Sequence, residues 1–164
     1  MNMLKRTVLS IITGFALYGC GSTKALTSAD KATIQTSLDL VNVVDDKVMV
    51  TVDPGAFSSD EVTFYIPKTV PGTYSTDNYG QYIEGFKAID YDGKELSSSK
   101  SDENTWKISN GKNLDKVTYL VNDTYDSESK MDEAVFSPAG TNILKDKNFV
   151  LNLHGFVGYF EGLK

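Results

Sequence analysis

Apolar and polar residues alternate along most of the chain after Ala32, and this alternation restricts the fold more than any other feature of the sequence. Successive side chains of a β-strand point to opposite faces, so an alternating segment lines one face with apolar groups. The alternating positions are Ile34, Leu38 and Leu40, then Val48, Val50 and Val52, and then Val62, Phe64 and Ile66. No segment in this region keeps the 3.6-residue period of a helix. The sequence therefore predicts an all-β fold.

Turn signals divide the alternating region into about eight short strands, a number typical of an antiparallel β-sandwich. Asp45-Asp46 predicts the first turn. Asp92-Gly93 predicts a hairpin that joins a strand over residues 82–91 to a return strand beginning at Leu96. Asn110-Gly111 predicts a second hairpin, between residues 105–108 and the strand of Val117, Tyr119 and Val121. We expect one β-sandwich domain over residues 34–164.

The first nineteen residues have the composition of a signal peptide. Lys5 and Arg6 precede an apolar run over residues 7–18 that holds no acidic residue. The run is shorter than the roughly 20 residues of a membrane-spanning helix but has the length of a signal-peptide core. A buried N-terminal helix is the alternative. We predict that a signal-peptide helix over residues 1–19 precedes the sandwich.

The sequence Leu17-Tyr18-Gly19-Cys20 resembles a bacterial lipobox, in which the cysteine carries the lipid and becomes the first residue after cleavage. Attachment of two or three acyl chains holds a protein on a membrane where one chain does not. The alternative is an ordinary signal peptide that is cut elsewhere. We predict lipidation at Cys20, a flexible tether over residues 20–33, and a location in the cell envelope. The domain would then lie on the periplasmic side of a bacterial membrane or on the cell surface.

Charge and residue counts exclude several classes of function. A formal net charge of −6 argues against a nucleic-acid partner, because phosphate binding needs an excess of Lys and Arg. The chain has 1 His and 1 Cys, so no site that needs two histidines, such as an HExxH zinc centre, can form. His154 lies in an apolar, strand-like run and is interpreted as a structural histidine. The acidic loop over residues 123–133 is interpreted as solvated, with calcium binding as the alternative. We assign no catalytic residue, metal ligand or cofactor to this chain.

Aromatic residues are concentrated in one third of the chain, and two interpretations are open. Exposed rings would suit the binding of a peptide or glycan. Cross-strand packing is the simpler interpretation, because Tyr82 and Phe86 recur with the period of a strand. The residues concerned are Tyr65, Tyr74, Tyr79, Tyr82, Phe86 and Tyr91.

Two ordered motifs give the sequence a resemblance to a known family. Residues 64–90 contain Pro71-Gly72-Thr73-Tyr74, followed by a strand with Phe86-Lys87-Ala88. A second block reads FSPAGTN over residues 136–142 and leads into the apolar residues 149–160. Together they resemble the N-terminal domain of the glycyl aminopeptidase family (metallopeptidase family sixty-one), and the resemblance covers residues 34–164.

The resemblance implies a β-sandwich placed ahead of a thermolysin-like catalytic domain. In the family that second domain binds zinc through an HExxH helix and a later Glu, and removes N-terminal Gly or Ala from peptides. None of those residues is present here, so zinc and catalysis are expected in a catalytic domain that this chain lacks. The N-terminal domain would cap the cleft and support binding of the substrate's amino terminus. Tyr74, Gly155 and Phe156 are the residues we expect near the substrate, and residues 149–160 the expected interdomain interface.

Two further hypotheses stay open at this point. The chain could be a stand-alone lipoprotein whose tyrosine-rich face binds peptide or glycan, or a structural lipoprotein without a ligand.

Overall fold

The computed structural model describes residues 33–125, 135 and 137–161, and these residues fold into antiparallel sheets without an α-helix. They belong to one unit, Lys31–Lys164. The predicted signal peptide, Cys20 and nearly all of the predicted tether lie outside the described residues. Within the described part of the chain, no helix is long and apolar enough to cross a membrane.

Eleven strands make up this part of the chain and form two larger sheets and one separate hairpin. Sheet A has the strand order β1-β2-β8-β4-β5, sheet B has the order β11-β3-β7-β6, and β9 pairs with β10. The strands are β1 (Gln35–Val44), β2 (Lys47–Asp53), β3 (Glu61–Tyr65), β4 (Ile83–Asp90), β5 (Glu95–Leu96), β6 (Ser98–Asp102), β7 (Thr105–Ser109), β8 (Leu114–Asn122), β9 (Asn142–Leu144), β10 (Asn148–Val150) and β11 (Tyr159–Phe160).

The alternating apolar residues face the space between the two sheets, as predicted. Val48, Val50 and Val52 of β2 are fully buried, and their partners Val121, Tyr119 and Val117 on β8 are buried beside them. On sheet B, Val62 and Phe64 of β3 point to the same interior. The prediction of an all-β antiparallel sandwich is confirmed.

An aromatic cluster joins the two sheets at the centre of the core. The Phe64 ring of sheet B lies 5.6 Å from Tyr119 and 5.6 Å from Phe86, both of sheet A. Phe160 of β11 packs 4.9 Å from Phe64, and Trp106 packs 5.0 Å from Phe86. Tilted and offset rings at these separations attract one another in addition to the apolar area that they bury.

Two of the three predicted turns are confirmed, and each joins a pair of antiparallel strands. Asp45 and Asp46 both have positive φ, 50° and 53°, as a two-residue turn between twisted strands requires. At the β4–β5 turn, Gly93 has a φ of 80°. The Asp90 carboxylate accepts hydrogen bonds from the backbone N–H groups of Asp92 and Lys94, which closes this turn.

The third prediction, a hairpin at Asn110-Gly111, is wrong. β7 pairs with β3 and β6 of sheet B, whereas β8 pairs with β2 and β4 of sheet A, so this turn carries the chain from one sheet to the other. Gly111 donates its N–H to the Asp60 carbonyl at 2.9 Å, and a side chain at Gly111 would overlap Val62. Packing of the turn against the start of β3 therefore sends the chain across the sandwich.

The predicted strand over residues 82–91 begins one residue later than expected. Tyr82 belongs to a 3-10 turn, Tyr79–Tyr82, and β4 begins at Ile83. Gly85 has a φ of 59° and lies in an irregularity of the β4–β8 register between Glu84 and Lys87.

The acidic loop departs from its prediction at Asp123. This residue is fully buried, and its carboxylate accepts hydrogen bonds from the N–H groups of Tyr125 and Ile143, each at 2.6 Å. The side chain of Asn142 donates a third bond at 3.2 Å. Asp123 thus ties the end of β8 to β9 instead of facing solvent. Residues 126–133 of the loop lie outside the described part of the chain.

Candidate functional site

Exposed apolar side chains occur along β1 and β2 and again from β9 to β11, the second group within and next to the predicted interface. Leu153 is 56% exposed, and Leu144, Val150 and Val157 are exposed as well. We call these four residues the C-terminal apolar strip. Their neighbours Phe156 and Phe160 point inward and are buried. Isolated apolar residues are common on protein surfaces, and their role as an interdomain interface stays a prediction.

Buried tyrosine hydroxyls fix the backbone that carries the strip. Tyr119 of β8 donates its hydroxyl to the Phe156 carbonyl at 2.6 Å. Tyr79 donates to the Ala139 carbonyl at 2.8 Å, and Asn152 donates to the same oxygen at 2.7 Å. Burial raises the pKa of both tyrosines well above the usual range, and the Asp77 carboxylate adds to the effect at Tyr79. The strip therefore extends from the core on a backbone that the core holds in place.

Gly155 and Phe156, two of the residues expected near the substrate, lie in this fixed segment and are buried. A Cβ on Gly155 would lie 3.1 Å from the Tyr79 ring, so the glycine permits close packing there. Their role in substrate binding stays a prediction. The side chains that this segment presents to solvent are those of Leu153, His154 and Val157.

The expectation that His154 lies in an apolar strand is wrong, and its interpretation as a structural histidine stays a prediction. His154 is exposed and lies in a 3-10 turn, Leu153–Gly155. Its Nδ1 lies 3.2 Å from Oδ1 of Asn152, which also accepts the His154 N–H. The Asn152 side chain caps this turn by accepting the His154 N–H. Because the chain turns here, the alternation of apolar residues stops.

Tyr74, the third residue expected near the substrate, is fully exposed, at 103%. It has a φ of 57°, and Gly72 before it has a φ of 93°. A non-glycine residue with positive φ costs about 1–2 kcal/mol and is worth examining for a functional role. Thr73 holds the turn by donating its N–H and its hydroxyl to the Val70 carbonyl, at 3.2 and 2.8 Å. A turn closed by Thr73 thus presents the Tyr74 ring to solvent, and its role in substrate binding stays a prediction.

Asp77 follows in the same loop and is only 4% exposed. Its Oδ1 accepts the Ser75 hydroxyl at 2.9 Å, whereas Oδ2 has no hydrogen-bond partner in the structure. The carboxylate lies close enough to Tyr79 to contribute to the raised pKa of that tyrosine.

The tyrosine-rich region does not form one face. Tyr79 and Tyr82 are buried, and Phe86 belongs to the core cluster. Tyr74 and Tyr91 are exposed on separate turns. Packing therefore accounts for three of these rings, and the face that the sequence left open as a ligand site is not present as one surface.

A different aromatic surface appears where β3 and β11 meet. The rings of Tyr65 and Tyr159 stack with their centroids 5.2 Å apart and their planes at 20°. They border a cleft of about 470 Å³ at one end of sheet B, where β3 and β6 end and β7 and β11 begin. The residues that line it are Tyr65, Ile66, Pro67, Lys68, Thr69, Asp102, Asn104, Thr105 and Tyr159. We call it the aromatic cleft. The two tyrosines lie far apart in the sequence, and their outward strand positions were the only signal available.

Charges of both signs border the aromatic cleft. The Asn104 N–H donates to Asp102 at 2.8 Å, and this bond is the main reason that the pKa of Asp102 lies below its usual range; Lys68 and Lys100 lower it further. Burial raises the pKa of Tyr65, and the Glu161 carboxylate, which accepts its hydroxyl at 3.3 Å, adds to the effect. The cleft thus combines a carboxylate, a lysine side chain and two phenol rings.

Within the part of the chain that the structure describes, no group of three or more His, Cys, Asp or Glu side chains is placed to hold a metal ion.

Comparison with known proteins places these features in context. Residues 35–164 match the family described as Peptidase M61 N-terminal domain. A solved structure with a similar fold is the aminopeptidase N family protein from Idiomarina loihiensis, with a TM-score of 0.51 and 21% identity. The likeness covers 58% of this chain and 16% of that protein, and at this identity it shows the fold alone. A search of curated proteins found no match.

Proposed function

This chain belongs to the Peptidase M61 N-terminal domain family, and from that premise we propose that it serves as the non-catalytic N-terminal domain of a lipid-anchored zinc aminopeptidase of the glycyl type. In this role it docks on a catalytic domain, caps one end of the cleft and supports binding of the substrate's amino terminus. The family match over residues 35–164 is the observation that carries the proposal.

The C-terminal apolar strip supports the docking step. Full burial of a Leu or Val side chain contributes roughly 1.5–3 kcal/mol, and the residues of the strip, which are 39–56% exposed, would contribute about half of that on docking. The strip also has little freedom to lose on docking, because Tyr119 and Asn152 hold its backbone. An aminopeptidase cleft needs one closed end, so that a peptide enters only by its terminus, and a rigid sandwich docked beside the cleft supplies such a wall.

Zinc belongs to the catalytic domain in this proposal. The described residues of the present chain do not fit a zinc site, since they bring no three metal-binding side chains together. This chain's contribution is therefore positional. Tyr74, fully exposed on the turn that Thr73 closes, is the side chain that we expect to contact a bound peptide.

The gene and its product test the assignment directly. We expect the reading frame beyond the codon for Lys164 to encode an HExxH motif and a later Glu. The protein that contains this domain and the catalytic domain should release p-nitroaniline from glycyl-p-nitroanilide. A chelator that removes zinc should abolish this activity. A stop codon with no such motif nearby would contradict the proposal and favour a stand-alone lipoprotein.

The docking surface is tested on the present chain with Leu153→Asp. Because the Leu153 side chain is 56% exposed, the aspartate should leave the fold intact while it disrupts the strip. We expect the wild-type chain to self-associate in light scattering and the variant to be monomeric with an unchanged circular dichroism spectrum. Val41→Asp, at an exposed valine of β1 outside the strip, is the matched control and should behave as wild type. A monomeric wild-type chain would argue against an exposed docking surface.

The anchor is tested with Cys20→Ala, since lipidation needs the thiol. We expect the wild-type chain to partition into detergent and the variant to stay in the aqueous phase. Equal partitioning of the two would remove the lipid anchor from the proposal.

A further inference from the structure

The aromatic cleft forms part of a row of side chains that crosses the outer face of sheet B. Tyr65 pairs with Tyr159 on one side and with Thr105 on the other, and Thr105 in turn pairs with Asp102 of β6. Paired residues on neighbouring strands point to the same face of a sheet. The row therefore presents two phenol rings and the Asp102 carboxylate, with the buried Thr105 between them and a register irregularity at Asp102. Lys68 and Thr69, at the start of the loop after β3, border the same cleft.

The Tyr65 ring lies in the middle of this row. Tyr159 covers one of its faces, with centroids 5.2 Å apart. Because Thr105 is the partner on the other strand, the second face of the ring is on the side of Thr105 and Asp102. Tyr65 is also held in place, since its hydroxyl donates to Glu161. An aromatic surface that is already ordered loses little entropy when it binds a ligand.

The polar groups of the cleft call for a ligand that both donates and accepts hydrogen bonds. Asp102 only accepts, Lys68 only donates, and Thr69 does both. A hydroxyl group supplies one donor and two acceptor positions, so adjacent hydroxyls can pair with the carboxylate and the ammonium group at once. The C–H faces of a pyranose ring are apolar and carry a slight positive charge, which suits the negative face of an aromatic ring.

An extended peptide fits this cleft less well. Strand addition needs free backbone groups along a sheet edge. At the cleft the Ile66 N–H is already bonded to the Asn104 carbonyl at 2.9 Å, and Tyr65 is paired on both sides. The lining residues show rings, hydroxyls and charges instead of a series of apolar pockets for side chains.

We propose that the aromatic cleft is a binding site for a neutral glycan, with a sugar ring against Tyr65 and Tyr159 and its hydroxyl groups bonded to Lys68 and Asp102. A site of about 470 Å³ accommodates a short segment of an oligosaccharide. The site shares no residue with the C-terminal apolar strip and does not rest on the proposed role in a peptidase.

Binding is tested with the full chain and two neutral trisaccharides, N,N′,N″-triacetylchitotriose and maltotriose, and with trialanine as the peptide probe. Saturation-transfer NMR identifies which probe binds, and titration calorimetry measures its Kd at concentrations up to the millimolar range. We expect saturable binding of at least one trisaccharide and none of trialanine.

Three variants assign the binding to the cleft. Tyr159→Ala should weaken it about tenfold by removing one ring, which corresponds to ~1.4 kcal/mol. Asp102→Asn and Lys68→Gln keep the size of each side chain, change exposed residues, and should each weaken binding several-fold. Tyr91→Ala removes an exposed tyrosine outside the cleft and should leave the Kd unchanged. Circular dichroism checks that each variant is folded.

The proposal is overturned if neither trisaccharide binds, if trialanine binds in their place, or if the folded cleft variants bind as tightly as the Tyr91→Ala control.

Discussion

The hydroxyl of Tyr119 joins sheet A to the segment that carries the C-terminal apolar strip, and Tyr119→Phe removes this bond without opening a cavity. The Tyr119 side chain is fully buried, and its hydroxyl donates to the Phe156 carbonyl at 2.6 Å. The backbone N–H of Gly158 also interacts with this hydroxyl. The phenylalanine ring fills the same space, so the packing of Phe64 and Phe86 against residue 119 is retained.

The cost of Tyr119→Phe follows from the groups that lose their partner. A buried polar group without a hydrogen bond costs about 1–3 kcal/mol. The Phe156 carbonyl loses its donor and the Gly158 N–H loses its interaction with the hydroxyl, so we expect the free energy of unfolding to fall by about 2–3 kcal/mol. For a domain of this size the slope in urea is about 2 kcal/mol/M, so the midpoint should fall by about 1–1.5 M.

Urea unfolding followed by the fluorescence of Trp106, the single tryptophan, measures this shift. Trp106 is buried in the aromatic cluster, so its emission reports on the core. The control is Tyr74→Phe, which removes a hydroxyl from a fully exposed ring and should change stability by less than about 0.5 kcal/mol. If the midpoint of Tyr119→Phe lies within 0.3 M of wild type, at an unchanged slope, then water or a rearranged backbone satisfies both groups and the reasoning is refuted.

Two further predictions concern buried ionisable groups. Burial holds Tyr119 and Tyr79 neutral in the folded protein, while in the unfolded chain they ionise near pH 10. The folded state therefore binds more protons above pH 10, so the free energy of unfolding should fall as pH rises there, by up to ~1.4 kcal/mol per pH unit for each tyrosine. Urea titrations between pH 9 and 11 measure this slope, and a slope in Tyr119→Phe equal to that of wild type would contradict it. Asp123→Ala should lower the free energy of unfolding by about 3–4 kcal/mol, because two buried N–H groups lose a charged acceptor. Asp92→Ala, at an exposed turn residue, is the control in the same urea assay, and an equal loss in both variants would exclude the buried bonds as the cause.

Local patterns predicted most of the strands because a strand of the sandwich buries every second residue in the interior. The valines of β2 alternate, and each one is buried against β8. Strand β6 shows the limit of this signal. Its Ser98-Ser99-Lys100 sequence has no apolar alternation, and it forms because β7 provides a partner strand. The Lys100 side chain contributes by reaching the Trp106 ring at 5.1 Å.

The partner of a strand is less predictable than the strand itself. Asn-Gly favours a tight turn whether the next strand returns to the same sheet or enters the opposite one. At Asn110-Gly111 the outcome depends on contacts with Asp60 and Val62, which lie far away in the sequence. The aromatic cleft was missed for the same reason, since Tyr65 and Tyr159 become neighbours only through the pairing of β3 with β11.

The two glycines of HGFVG, residues 154–158, show how such distant contacts position the aromatic cleft and the C-terminal apolar strip. Their spacing does not match a phosphate-binding loop, and the structure gives each a packing role. Gly155 lies against the Tyr79 ring. A side chain on Gly158 would overlap the Phe64 ring and lie 2.6 Å from the Tyr65 carbonyl. The bare backbone at Gly158 thus lets β11 approach β3 and places Tyr159 beside Tyr65 in the aromatic cleft. Because Val157 of the strip immediately precedes Gly158, one close contact with the core positions both the proposed glycan site and the end of the proposed docking surface.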